Sequence, residues 1–168
     1  MAARVEIREG DFDLAAEVAA LRDGDGGVGA VVAFVGTVRD RNDGAAIASL
    51  ELEHYPGMTE AAIEAMVDEA TRRFEIRAAR VVHRVGVLAP MAQIVLVAVT
   101  AAHRGQAFQA CEFLMDYLKT QAPFWKKEAG PEGVRWVDAR VADDAALARW
   151  GIAAGNAADG AGDAPDQR

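Results

Sequence analysis

Three clusters of side chains in this 168-residue chain are of types that can do chemistry together. The richest holds Lys119, then Lys126, Lys127 and Glu128. The second is Thr37–Val38–Arg39 and the third His103–Arg104. Each falls where one pattern gives way to the next, and loops at element ends are where sites are usually built. Arginine can hold a phosphate or carboxylate with paired hydrogen bonds. Lysine offers a point charge or, once desolvated, an amine that accepts a proton. The set suits capture of an anion with proton transfer beside it. Each cluster also has a plainer explanation. A lysine at a helix edge snorkels to water, and Asp116, three residues earlier, can pair with Lys119. Arg39 and Arg41 can be solvated ends around Asp40, and His103 can cap a helix or satisfy a carbonyl. His54 and His83 sit on strand patterns and read as structural. No HxxxH, CxxC or carboxylate cluster suggests a metal.

The elements that must position these residues can be read from periodicity. Phe108, Cys111, Met115 and Leu118 recur at helical spacing, with Lys119 at the edge of their face. Pro123 stops that helix. Beyond it, an extended segment puts Phe124, Lys126 and Glu128 on one face and Trp125 and Lys127 on the other. Upstream, Val5 and Ile7 suggest a short strand. Asp11 or Asp13 can cap a helix carrying Leu14, Val18 and Leu21. Gly24 to Gly29 is a breaker followed by a β-rich run, so it is not a dinucleotide fingerprint. Ala30 to Val38 reads as a largely buried strand in which Gly36 marks a bulge or close approach. After the turn Asn42–Asp43–Gly44, residues 48 to 54 alternate as a half-buried strand expected to form a hairpin with its predecessor. Ile63, Met66, Val67, Ala70 and Phe74 make a second helix. Val81 to Leu88, Ile94 to Ala101 and Val134 to Val141 read as strands. Asp143 or Asp144 can cap a short helix reaching Trp150. Strand pairs separated by single helices point to an α+β fold with a mainly antiparallel sheet.

Composition sets the bounds. An apolar fraction of 52% in a chain of this length fits one domain, residues 1–150, with a real core. Residues 151–168 are Ala, Gly and Asp with a single large apolar residue, and read as a disordered tail. A net charge of −8 argues against a general nucleic-acid binder. One cysteine rules out an internal disulfide framework and fits a reducing compartment. The charged start lacks a signal-peptide core, and no apolar run reaches the ~20 residues of a membrane span. A cytoplasmic location is expected. Residues alone leave three possibilities: an enzyme, a non-catalytic anion- or nucleotide-binding regulatory domain, and a single-stranded nucleic-acid binder stacking bases on Phe124 and Trp125. The charge weighs against the last.

Longer motifs separate these possibilities. LEHYPGMTE (Leu52–Glu60), HRVG (His83–Gly86), TAAHR (Thr100–Arg104) and FLMDYLKTQAPFWKKE (Phe113–Glu128) resemble the large, catalytic subunit of molybdopterin synthase, the MoaE family. GTVRD (Gly36–Asp40) and PEGVRWVDAR (Pro131–Arg140) fit the same pattern in the same order. The resemblance implies an α/β-hammerhead fold. It implies conversion of cyclic pyranopterin monophosphate (precursor Z) into molybdopterin, with two sulfurs entering as a dithiolene. The donor is a small ubiquitin-like subunit of the MoaD type, whose C-terminal Gly-Gly thiocarboxylate inserts into the large subunit. The assembly is a heterotetramer around a dimer of large subunits. By the same resemblance Lys119 and Lys126 are catalytic. Arg39, His103 and Arg104 bind substrate, some of them from a neighbouring subunit, and Thr37, Val38, Lys127 and Glu128 line the pocket. No cofactor or metal is implied.

Overall fold

A computed structural model describes residues 3–137, 145, 146 and 148–152. Its elements run β1 (Val5–Arg8), α1 (Leu14–Arg22), β2 (Ala30–Thr37), β3 (Arg41–Asn42), β4 (Ala45–Ala46), β5 (Ser49–His54), α2 (Met58–Phe74), β6 (Ala78–Arg84), β7 (Gly86–Leu88), β8 (Gln93–Ala101), α3 (Arg104–Thr120), β9 (Phe124–Gly130) and β10 (Gly133–Val137). The strands build one sheet in the order β1-β6-β8-β2, a second in the order β10-β9-β5-β7, and the small β3–β4 pair. Only β1 with β6 is parallel among these pairings. The fold is α+β with mainly antiparallel sheets, as expected.

The first sheet is organised around β8. Alternate residues of a strand face opposite sides, and β8 meets a different core on each. Val95, Val97, Val99 and Ala101 pack with Ile63 and Val67 of α2 and with Cys111, Leu114 and Leu118 of α3. Leu96 and Ala98 pack with Phe12 and Val82, against which Val18 and Leu21 of α1 also lie. Covering both faces explains why IVLVAV (residues 94–99) is a continuous apolar run and not an alternating one. Asp13 caps α1, its Oδ1 accepting from the Ala16 N–H at 3.0 Å. The second sheet buries one face only, where Leu50, Leu52 and Leu88 gather with Val38. Among the described residues, no helix is long and apolar enough to cross a membrane.

Several expectations are corrected. The strand of residues 48–54 does not pair with its predecessor. β2 joins β8, while β5 lies between β7 and β9. Asp43 and Gly44 both adopt positive φ (49° and 80°) and close only the two-residue β3–β4 hairpin. β5 leaves that turn to bury Leu50 and Leu52 in the other sheet. β2 is an edge strand, with Ala33, Phe34 and Thr37 exposed. Gly36 meets both descriptions given for it: the register shifts between Gly36 and Thr37, and a Cβ at Gly36 would lie 2.9 Å from a Val95 methyl. The run Val81–Leu88 divides between β6 and β7, in different sheets, on either side of the bend before Gly86 (φ 85°). Phe108 is 61% exposed, because the buried stripe of α3 is centred on Ala107, Ala110, Cys111, Leu114 and Leu118.

At the C-terminal side, residues 138–144 and 153–168 lie outside the described residues. They include the end of the expected last strand, the expected caps Asp143 and Asp144, and most of the expected tail. Residues 145, 146 and 148 are helical. Trp150 packs edge-on against Phe74 and Phe113 (centroids 5.6 and 5.7 Å), and Ile152 also packs on the main core.

Candidate active site

The topology sorts the chemistry-bearing residues between two ends of the first sheet. β2 and β8 are antiparallel, with Ala30 opposite Ala101 and Thr37 opposite Gln93. α3 leaves the Ala101 end and packs back over both strands. The Cys111 thiol lies 3.8 Å from the Val97 carbonyl, placing mid-helix over mid-strand. The last turn of α3, with Lys119, therefore returns to the end that carries Thr37, Val38 and Arg39. His103 and Arg104 stay at the other end. His103 and Lys119 are sixteen helical steps apart, about 24 Å at the usual rise. One chain thus brings Arg39 and Lys119 to the same end and leaves His103 and Arg104 at the opposite one. His103 occupies the N-cap position of α3 but makes no side-chain cap bond, so it is not the capping residue that a structural explanation would require. Its side chain and that of Arg104 are exposed.

Lys119 is exposed as well. Asp116 is not its partner. That carboxylate accepts from Arg149 at 2.8 Å and from the Trp150 indole N–H at 2.7 Å. These bonds fix Arg149 and Trp150 to α3 and leave Lys119 without an ion pair among the described residues.

Pro123 ends α3 and the chain turns into β9. Residues paired across antiparallel strands project to the same face. Lys126 is opposite Leu52, and Glu128 is opposite Leu50. Both therefore face the side on which Leu50 and Leu52 pack with Val38. Lys127 is directed to the other face, where its ammonium lies 4.8 Å from the centroid of the exposed Trp136 ring. Val38 is itself buried, and both its backbone polar groups are taken, N–H to Ala92 (2.9 Å) and C=O from Met91 (2.8 Å). It lines a shallow depression with Thr37, Arg39, Pro90 and Met91, and offers apolar wall only.

Glu128 is buried within a hydrogen-bonded network. Its Oε1 accepts from the Asn42 amide at 2.7 Å and its Oε2 from Arg135 Nε at 3.1 Å. Arg135 also donates to the Asn42 carbonyl at 2.9 Å, and Arg39 donates to Asn42 Oδ1 at 3.2 Å. Asn42 and Arg135 are residues that sequence reasoning missed. Asn42 falls in a run whose turn propensity already accounts for it. Arg135 becomes a partner of Glu128 only through the β9–β10 register.

His83 closes the inner side of this region. Its ring stacks on Phe124 (3.9 Å, 18°), and its Nδ1 donates to the Arg84 carbonyl at 2.8 Å. Burial first, then the nearby Lys126 and His54 charges, hold its pKa down to about 4, against the pull of that carbonyl. The imidazole is neutral at physiological pH. Cys111 is equally inert. Burial, aided by Glu112, pushes its thiol up to about 11. Among the described residues no group of His, Cys, Asp and Glu could hold a metal ion.

An α+β body with cations gathered at one end of a sheet defines a protein suited to an anionic small molecule or an anionic chain end. The particular family follows from comparison. The model of the family described as MoaE protein matches residues 7–121. The molybdopterin synthase catalytic subunit of Ralstonia nicotianae is 61% identical over 91% of this chain and 87% of its own. The solved structure of the molybdopterin biosynthesis MoaE protein from Burkholderia ambifaria is 60% identical, covers 90% of this chain and 99% of its own, and superposes with a TM-score of 0.77. That of molybdopterin synthase from Staphylococcus aureus is 30% identical, covers 82% and 99%, and gives a TM-score of 0.76. The chain belongs to the MoaE family.

Proposed function

We propose that this chain is the catalytic subunit of a molybdopterin synthase. It receives the C-terminal Gly-Gly thiocarboxylate of a small ubiquitin-like partner and transfers sulfur to precursor Z, twice per molybdopterin. The observation that carries this reading is the placement of Arg39 and Lys119 at one sheet end, beside the α3–β9 turn that leads to Lys126 and Glu128. The substrate bears a phosphate and the donor a carboxylate-like terminus, so both ligands need cations there. Arg39 takes the phosphate, and Lys119 meets the thiocarboxylate. Seating the partner's tail over the exposed Lys119 brings its ammonium against the reacting thiocarboxylate. Opening the cyclic phosphate and expelling the spent carboxylate both need proton transfer, which Lys119 and Lys126 supply. Thr37, Val38, Lys127 and Glu128 frame the site, Glu128 through its bonds to Asn42 and Arg135.

His103 and Arg104 are too far along α3 to reach the same small molecule within one chain. We assign them to the site of a neighbouring copy, in a homodimer of this chain flanked by two small subunits. No cofactor or metal takes part in this scheme. The single buried, unpaired cysteine supports a cytoplasmic location.

The test is to mix the protein with thiocarboxylated partner and precursor Z and to follow molybdopterin. Formation of the dithiolene at catalytic protein concentration is expected. A regulatory domain would bind precursor Z and leave it unchanged, and that result would refute the proposal.

A further inference from the structure

Asn42 stands between two residues of opposite charge. It is 7% exposed and sits on the two-residue strand β3, between Arg39 and the buried Glu128. Its amide is used directionally: Oδ1 accepts from Arg39 at 3.2 Å and Nδ2 donates to Glu128 at 2.7 Å. A carboxylate could not serve both neighbours, because it has no donor for Glu128. The Asn42 carbonyl is held in turn by Arg135, which also binds Glu128. The guanidinium of Arg39 is otherwise on an exposed segment, where a long side chain samples many rotamers. The amide tethers one of its nitrogens. It neither neutralises the charge nor uses up the rest of the donor fork.

We infer that Asn42 is a positioning residue for substrate binding: it aims the Arg39 guanidinium into the site and couples its placement to Glu128 on β9. This rests on the reading of Arg39 as the substrate's phosphate ligand. Asn42 touches no substrate and acts only through Arg39. The tether shifts ordering of the side chain from the binding step to the folding step, which favours affinity.

The experiment is steady-state kinetics of the complex with thiocarboxylated partner, varying precursor Z, for Asn42→Leu, Asn42→Asp, Arg39→Ala and the double variant Arg39→Ala/Asn42→Leu. Melting temperatures are recorded for each. Asn42→Leu is expected to raise KM about tenfold, ~1.4 kcal/mol, with kcat changed less than about twofold. The double variant should be no worse in KM than Arg39→Ala alone, since the interaction is already gone. Asn42→Asp conserves shape and still accepts from Arg39, but its carboxylate neutralises that charge and loses the bond to Glu128, so KM should rise and the melting temperature should fall. A purely structural amide would lower the melting temperature of both Asn42 variants and leave their KM unchanged, or would give KM penalties that add in the double variant. Either result overturns the inference. If Arg39→Ala itself leaves KM unchanged, the phosphate-ligand reading is what fails. If Arg39→Ala raises KM and neither Asn42 variant does, only the positioning role fails.

Discussion

Acid should weaken this fold well above the usual carboxylate range, through His83. The imidazole is 7% exposed, stacked on Phe124, and bonded through Nδ1 to the Arg84 carbonyl. Burial, with the Lys126 and His54 charges, lowers its pKa from 6.5 to about 4. A lowered folded pKa means that the unfolded chain binds the extra proton first. Stability is therefore fully present above pH ~6.5 and is lost as pH falls towards 4. With those two values, linkage gives a loss of about 2 kcal/mol by pH 5 and about 3 kcal/mol by pH 4. That is a large part of the ~5–15 kcal/mol by which domains are usually stable. The assay is urea unfolding at half-unit steps from pH 7.5 to 4, for wild type and His83→Phe. The phenyl ring keeps the stack on Phe124 and cannot titrate. It gives up the bond to the Arg84 carbonyl, a loss of roughly 1 kcal/mol at every pH. The two curves should therefore start apart at pH 7.5 and converge or cross between pH 6.5 and 4. Parallel curves through that window would refute the reasoning, as would an NMR titration of His83 near 6.5.

Lys119→Ala should fold normally, because the side chain is exposed, and lose most molybdopterin formation; Lys119→Arg should also fail, since a guanidinium does not release its proton. Near wild-type product yield from either would remove Lys119 from the chemistry. Cys111→Ala should destabilise by about 1–2 kcal/mol and retain turnover, because a buried thiol held up to about 11 carries no sulfur. A variant that melts like wild type but makes no product would reverse that. Removing residues 153–168, which contain no large apolar side chain, should leave melting temperature and activity unchanged. Trp150→Ala should cost about 2 kcal/mol, through lost packing on Phe74 and Phe113 and a lost bond to Asp116. Thermal melts of the two variants side by side check both.

What could be read from the chain without its structure follows a physical division. α3, β8 and β9 were legible because their patterns are local: a helical stripe stopped by Pro123, a continuous apolar run, and an alternation with Phe124, Lys126 and Glu128 on one face. Pairing is not local, and there the inference from neighbouring strands failed. β5 passes over β2, its neighbour in sequence, because its Leu50–Leu52 face completes a separate core with Leu88 and Val38. The split of Val81–Leu88 was equally hidden, since only the bend before Gly86 divides two strands of similar composition. At the site, residue types were informative where they carried charge, and arrangement was informative where one helix fixed it. The spacing from His103 to Lys119 already separates those two side chains. What spacing could not supply is the link from Arg39 to β9. It runs through Asn42 to Glu128, 86 residues away. An asparagine beside Asp–Gly is explained by the turn it helps to make, so nothing local asks for a second role. Turn and site meet at this residue, because the hairpin closed by Asp43 and Gly44 is also what delivers Asn42 between an arginine and a buried carboxylate.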